Sequence, residues 1–171
     1  MPISKNESGI MKAVLGLHEA ASSNDISSEL GISQENVSRA ITALAKKGLL
    51  ERENGTVVLA KTPQAERFRE MYFAHPVSPF EKIIADKRVL LLSKIGERQK
   101  SVKELSRESQ IPISTVHYYL RDLVRLGVVS KQKKGKEGVY RFNYVLWRPL
   151  KEFVDILSDF EETLKVPQGD C

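Results

Sequence analysis

Cysteine is almost missing from this chain: among its 171 residues only the last, Cys171, carries a thiol. That excludes an intrachain disulfide and any cysteine-built structural zinc site, and a reducing cytoplasm is the natural setting. Long apolar runs are missing too. Stretches such as Val89-Leu90-Leu91-Leu92 are far too short to span a bilayer. The opening MPISKNES has no apolar stretch behind a basic start, so neither a membrane partner nor a secretion signal is expected. The signatures of catalysis are likewise absent. There is no phosphate-binding Gly-Lys-Ser/Thr loop, no nucleophile elbow and no carboxylate pair at useful spacing, so the expectation is a protein that is not an enzyme. His18, His75 and His117 are far apart and fall in different elements, with His18 expected on a helix face and His75 in a linker. No metal and no cofactor are expected.

What the chain does have is positive charge, unevenly distributed. The net formal charge is +5. Residues 1–76 carry nine Lys/Arg and nine Asp/Glu, residues 77–147 carry fifteen against seven, and residues 148–171 carry three against six. Charge needed only for solubility would not segregate in this way, and a basic middle region points to a polyanion-binding face.

The chain also repeats itself. DISSELGISQENVSRAITALAKKGLL (25–50) lies over KELSRESQIPISTVHYYLRDLVRLGVV (103–129) without a gap at an offset of 79. Ile26, Ile32, Val37, Ile41, Leu44 and Gly48 meet Leu105, Ile111, Val116, Leu120, Leu123 and Gly127. Each copy reads as an apolar first helix (Ile10–Ala21 and Ile83–Ile95), a short second helix (Asp25–Leu30 and Val102–Ser109), a turn, and a third helix stopped by Gly48 or Gly127. Ser78-Pro79-Phe80-Glu81 and Ser101 with Glu104 have the form of capping boxes. The period then changes to extended. LLERENGTVVLA forms a hairpin around Asn54-Gly55, and VVSKQKKGKEGVYRFN forms a second one, expected to have a longer tip. Thr62-Pro63 starts a linker helix through QAERFREMYFA, which HPVSP breaks. RPLKEFVDILSDFEETLK reads as an amphipathic helix, and VPQGDC, which lies outside the residues described below, is expected to be a frayed tail.

Helix, helix-turn-helix and hairpin in this order resemble the winged-helix pattern in both copies. The second copy resembles the ArsR-type transcriptional regulators, through an Ala-Asp…Arg…Leu-Leu first helix, a Glu-Leu-Ser second helix and a Ser-Thr-Val…Leu…Leu…Gly-Val-Val third helix. It lacks the cysteine-bearing helix of the metal-sensing members, which argues against metal sensing. The first copy resembles the MarR and Lrp style of the same fold. The fold expected is mainly α with small β-hairpin wings (α+β): two winged-helix domains in tandem plus linker and C-terminal helices. Their bounds are 1–74 with the linker helix, 75–147 for the basic domain and 148–171 for the C-terminal helix and tail.

On a helical wheel of the second copy's third helix, Ile113, Val116, Leu120, Leu123 and Val124 share one face and are assigned to the core. Ser114, Thr115, Tyr118, Arg121, Asp122 and Arg125 face outward, with His117 on the flank. The resemblance implies that the start of this helix enters the major groove, so Ser114, Thr115, His117 and Tyr118 are candidate readers of bases, and Arg121 and Arg125 candidate phosphate clamps. Lys131, Lys133, Lys134, Lys136 and Arg141 on the wing are expected to follow the DNA backbone, with Gly135 and Gly138 letting its tip bend close to the duplex. The first copy offers Gln34, Asn36, Ser38, Arg39 and Lys46, beside a wing tip with more acid than base. Leu150, Phe153, Val154, Leu157, Phe160 and Leu164 form a broad apolar stripe that needs a partner, either the linker helix of the same chain or a second subunit. Terminal helices commonly dimerise regulators of the resembling families, so a homodimer is expected through this stripe. The function expected is sequence-specific binding of double-stranded DNA by a nucleoid-associated transcriptional regulator whose effector, if any, is unknown. The alternative is a tandem winged-helix module that binds proteins in a transcription or chromosome-maintenance complex.

Overall fold

The computed structural model describes residues 3–165 apart from Asp86, with side chains as far as Asp159. The first winged unit consists of α1 (Lys5–Gly16), β1 (Ala20–Ala21), α2 (Ser23–Leu30), α3 (Gln34–Lys46), β2 (Leu50–Glu53) and β3 (Thr56–Leu59). The linker helix α4 (Pro63–Ala74) follows. A 3₁₀ turn (Phe80–Lys82) then leads into α5 (Arg88–Lys94), β4 (Lys100–Ser101), α6 (Val102–Ser109), α7 (Ile113–Arg125), β5 (Val129–Lys134) and β6 (Glu137–Phe142). The chain ends in α8 (Tyr144–Lys165). Each unit holds a three-stranded antiparallel sheet, ordered β1-β3-β2 in the first and β4-β6-β5 in the second.

The internal repeat reappears in atomic detail. Ser22 caps α2 and Ser101 caps α6, each in a reciprocal capping box, with Asp25 and with Glu104. Gly31 and Gln110 take the same left-handed turn at φ 65 and 59°. Ser27 Oγ donates to the Ile32 carbonyl and Ser106 Oγ to the Ile111 carbonyl, both at 2.6 Å. Gly48 and Gly127 stop α3 and α7 at φ 71 and 76°, a region that costs a residue with a Cβ about 1–2 kcal/mol.

Several sequence expectations are corrected. The first helix covers Lys5–Gly16, not Ile10–Ala21, because His18 and Glu19 turn left-handed at φ 62 and 68° and send Ala20 and Ala21 into the sheet against β3. His18 thus lies in a turn rather than on a helix face. In the second unit the box at Ser78-Pro79-Phe80-Glu81 makes no side-chain cap. The Ile84 carbonyl accepts from the Ile3 amide at 3.0 Å instead of continuing a helix, and α5 starts only at Arg88. The second wing has no longer tip: both hairpins turn in two residues, and β5 and β6 are simply longer strands. Asn54 and Gly55 both have positive φ, the I′ pattern, whereas at the second tip only Gly135 does, the II′ pattern.

The largest correction concerns the C-terminal stripe. Leu150, Phe153, Val154 and Leu157 are fully buried within the chain, where α8 packs on α4 and α5, so they offer no face to a second subunit. Phe160 and Leu164 lie outside the residues whose side chains are described. The α8 helix is kinked at Trp147 (φ −128, ψ 25°), just before Pro149, which has no N–H to give. His75, from the segment between the units, stacks on Trp147 at 3.7 Å, and its Nε2–H donates to the Leu146 carbonyl at 2.7 Å. Lys151 is buried, and its ammonium donates to the Leu92 and Ser93 carbonyls at 3.2 and 3.0 Å, satisfying the end of α5.

Phe68 of α4 sits at the centre of this seam, 5.5 Å from both Phe80 and Phe153, with all three rings fully buried. Because it touches groups from both halves, Phe68→Ala is expected to cost about 3–5 kcal/mol. Urea denaturation should show that loss in one cooperative transition. Two resolved transitions would mean that the halves fold independently.

Candidate nucleic-acid interface

The α7 helix is amphipathic by sequence, and its inner face is set by Val116, Tyr119, Leu120 and Leu123, all buried. Ile113, assigned to the core from the wheel, is instead 49% exposed, since it occupies the first turn, which projects past the core beside the wing. Ser114, His117, Tyr118, Arg121 and Arg125 are exposed and Thr115 is half-buried. Among the predicted readers, then, only Thr115 is partly withdrawn from solvent.

The start of α7 differs from that of its counterpart α3. At α3, Ser33 accepts from the Asn36 amide and Glu35 adds an acid in the first turn. At α7 the capping position is Pro112, which forms no side-chain cap, and no acid lies in the first turn. The leading amides of α7 therefore keep their donors and the positive end of the helix dipole, an arrangement that favours an anion. This difference was legible in the sequence as Pro112 against Ser33, and the wheel did not use it.

The only acid on α7 is neutralised. Arg88 of α5 is buried, lies 3.6 Å from Asp122, and stacks its guanidinium on Tyr119 at 4.4 Å and Tyr118 at 5.7 Å. Arg121 covers the same Tyr118 ring at 5.8 Å. Tyr118 is thus held by two cations while the residue stays 52% exposed. Sequence reasoning missed Arg88, because the contact joins two helices far apart in the chain and no local spacing announces it.

The strand period divides the wing cations between two faces. Lys131 pairs with Tyr140 and Lys133 with Gly138, in register with the buried pair Val129 and Phe142, which puts them on the α7 side. The Lys131 ammonium lies 5.9 Å from the Tyr140 ring centre, and a Cβ on Gly138 would sit 3.0 Å from Lys131 Cε. Gly138 therefore leaves room for the lysine stem, and of the two glycines only Gly135 has a positive φ at the tip. Lys134 and Arg141 alternate to the far face, where Lys134 lies near Arg98 and Gln99, and Arg141 near Glu97 and Tyr144. Lys136 is exposed in the turn. Between α7 and the wing lies an open groove of 640 Å³ lined by Ser114, His117, Tyr118, Arg121, Lys131 and Tyr140.

In the first unit Gln34, Asn36, Ser38, Arg39 and Lys46 are all exposed on α3. Gln34 donates to Asn24, and Arg39 is paired with Glu35 at 2.5 Å, an exposed pair that a stronger partner can displace. The wing beside them presents Glu51, Arg52 and Glu53, all exposed, so this face lacks the cationic flank of the second unit. Among the described residues no group of His, Cys, Asp and Glu could hold a metal ion, and no helix is long and apolar enough to cross a membrane.

The inter-helix anchor makes a direct expectation. Arg88→Leu leaves Asp122 uncompensated at a mostly buried site and should cost about 2–3 kcal/mol, read by urea denaturation. Arg88→Leu combined with Asp122→Leu should recover much of that loss. A double variant as unstable as the sum of the singles would sink the pairing.

Residues 13–56, from within α1 to the start of β3, match the model of the MarR family. Residues 86–133, from α5 to β5, match that of the IclR helix-turn-helix domain, where the sequence motifs had pointed to the ArsR type. No curated protein is found to match the chain. The two matches and the geometry together support a tandem winged helix-turn-helix protein of the DNA-binding transcriptional regulators, similar in its first half to the MarR family and in its second to the IclR helix-turn-helix domain.

Proposed function

We propose that the chain is a sequence-specific, double-stranded DNA-binding transcriptional regulator that reads the major groove with α7 and grips the sugar-phosphate backbone with the β5–β6 wing. The observation that carries this reading is the open, cation-rimmed groove between an uncapped α7 and Lys131. A phosphate backbone has the charge to run through it. Its phosphates would meet Arg121 on one wall, Lys131 on the other, and hydroxyls of Ser114 and Tyr140 between them. His117 and Tyr118, projecting from the first two turns of α7, supply donors and a flat apolar face at the depth of the base edges. Lys133 and Lys136 extend the grip along the backbone, and Arg125 adds to it from the end of α7. Lys134 and Arg141, on the other face of the wing, serve a phosphate on the outer side.

Gel shifts on genomic fragments at low salt test the reading, with retarded complexes expected and their absence counting against it. For a selected site, Lys131→Ala should weaken binding across all sequences and lower the slope of log K against log salt by about 0.9, the value for one lost phosphate contact. Tyr118→Ala should instead change which sequences are preferred, while leaving the salt slope in place.

A further inference from the structure

Elements that hold equivalent places in the repeat pair with each other across the middle of the molecule. The α4 helix follows the first wing and α8 follows the second. Each is introduced by a side chain that bonds the carbonyl of the glycine ending the preceding helix: Thr62 Oγ1 to Gly48 at 2.5 Å, and Asn143 Nδ2 to Gly127 at 3.0 Å. These two helices form the seam, with Phe68 edge-on to Phe153 and Arg67 ion-paired with Glu152. The opening segments of the units are exchanged in the same manner. The Phe80 turn, which opens the second unit, packs on α1, where the Lys12 ammonium lies 5.4 Å from the Phe80 ring centre and donates to the Ser78 carbonyl at 3.4 Å. In return Ile3, which opens the first unit, is fully buried and bonds Ile84 ahead of α5.

Like elements meeting like, α4 on α8 and opening segment on opening segment, is the pattern of a two-fold interface between subunits. Here it closes within one chain. We infer that the protein is an internal dimer: one copy presents both helix-turn-helix units to a single duplex carrying two unlike half-sites, with no second subunit. The inference rests on the DNA-binding reading above and deepens it by naming the form of the partner. The described part of the stripe available for subunit pairing, Leu150, Phe153, Val154 and Leu157, is already buried on α4 and α5. The half-sites must differ because the units do. The second offers an uncapped helix and a cationic wing, and so supplies affinity. The first offers Asn36, Ser38 and Arg39 beside an acidic wing, and so reads bases with little grip on phosphate.

Analytical ultracentrifugation of the free chain at micromolar concentration should give a single species near 19.3 kDa. A dimer would overturn the inference whether or not DNA is bound, which separates its failure from that of the regulator reading. On a selected site, sedimentation should find one chain per duplex, and hydroxyl-radical footprinting should show two protected stretches about 10 base pairs, or a multiple of that, apart. Arg39→Glu should erase one stretch and weaken binding about ten-fold, whereas Arg121→Glu should erase both. Two chains per duplex, or a single stretch unaffected by Arg39→Glu and Arg39→Ala, would refute it and leave the first unit free for a protein partner.

Discussion

The arrangement of the molecule depends on the burial of one apolar stripe. Leu150, Phe153, Val154 and Leu157 must leave water, and the surface that receives them is α4 and α5 of the same chain. Removing four such side chains from solvent is worth on the order of 1.5–3 kcal/mol each, more than any surface ion pair in the molecule. Once that seam forms, the two winged units cannot move apart without exposing it. The His75–Trp147 stack and the Lys151 bonds to the end of α5 then fix the angle at which α8 crosses.

Within this frame the two units have diverged in charge while keeping their backbone. The capping boxes, the left-handed turns and the serine bonds inside each turn are duplicated almost atom for atom, because they satisfy backbone groups whatever the surface does. The outer faces had no such constraint. One helix start is closed by Ser33 with Glu35 beside it and the other is left open at Pro112; one wing carries acids and the other lysines. A pair of frames held at a fixed separation, with one strong and one weak cationic face, suits a ligand that is itself a long, regularly charged rod.

The α7 face proposed to meet DNA also shows how such a surface would be kept ready. Tyr118 is the large exposed ring of α7, and an unsupported ring would have to be ordered on binding at an entropic cost. The cations of Arg88 and Arg121 hold it by cation–π contact, and Arg88 at the same time removes the negative charge of Asp122 from the face that would meet phosphate. Arg88 thus acts from behind the surface, on both the shape and the charge of the helix in front of it.

Local patterns in the sequence were enough for the repeat, the helix-turn-helix order, the glycine stops at Gly48 and Gly127, the Asn54-Gly55 turn and most of the outward set on α7, from which Thr115 and Asp122 are partly withdrawn. Each of these follows from period, caps or φ preferences acting over a few residues. The same patterns misplaced the first helix of each unit, because His18 and Glu19 leave the helix to supply a strand, and Ile84 gives its carbonyl to a residue far upstream. Ile113 had the right spacing for the core but lies past its edge. Which helix receives the C-terminal stripe, how Arg88 braces Tyr118, and which face of the wing each lysine takes were decided only by tertiary packing. The physical reason is common to all of them: an apolar stripe, a buried cation and a strand register each specify that a partner is required, and only the folded chain specifies which one is within reach.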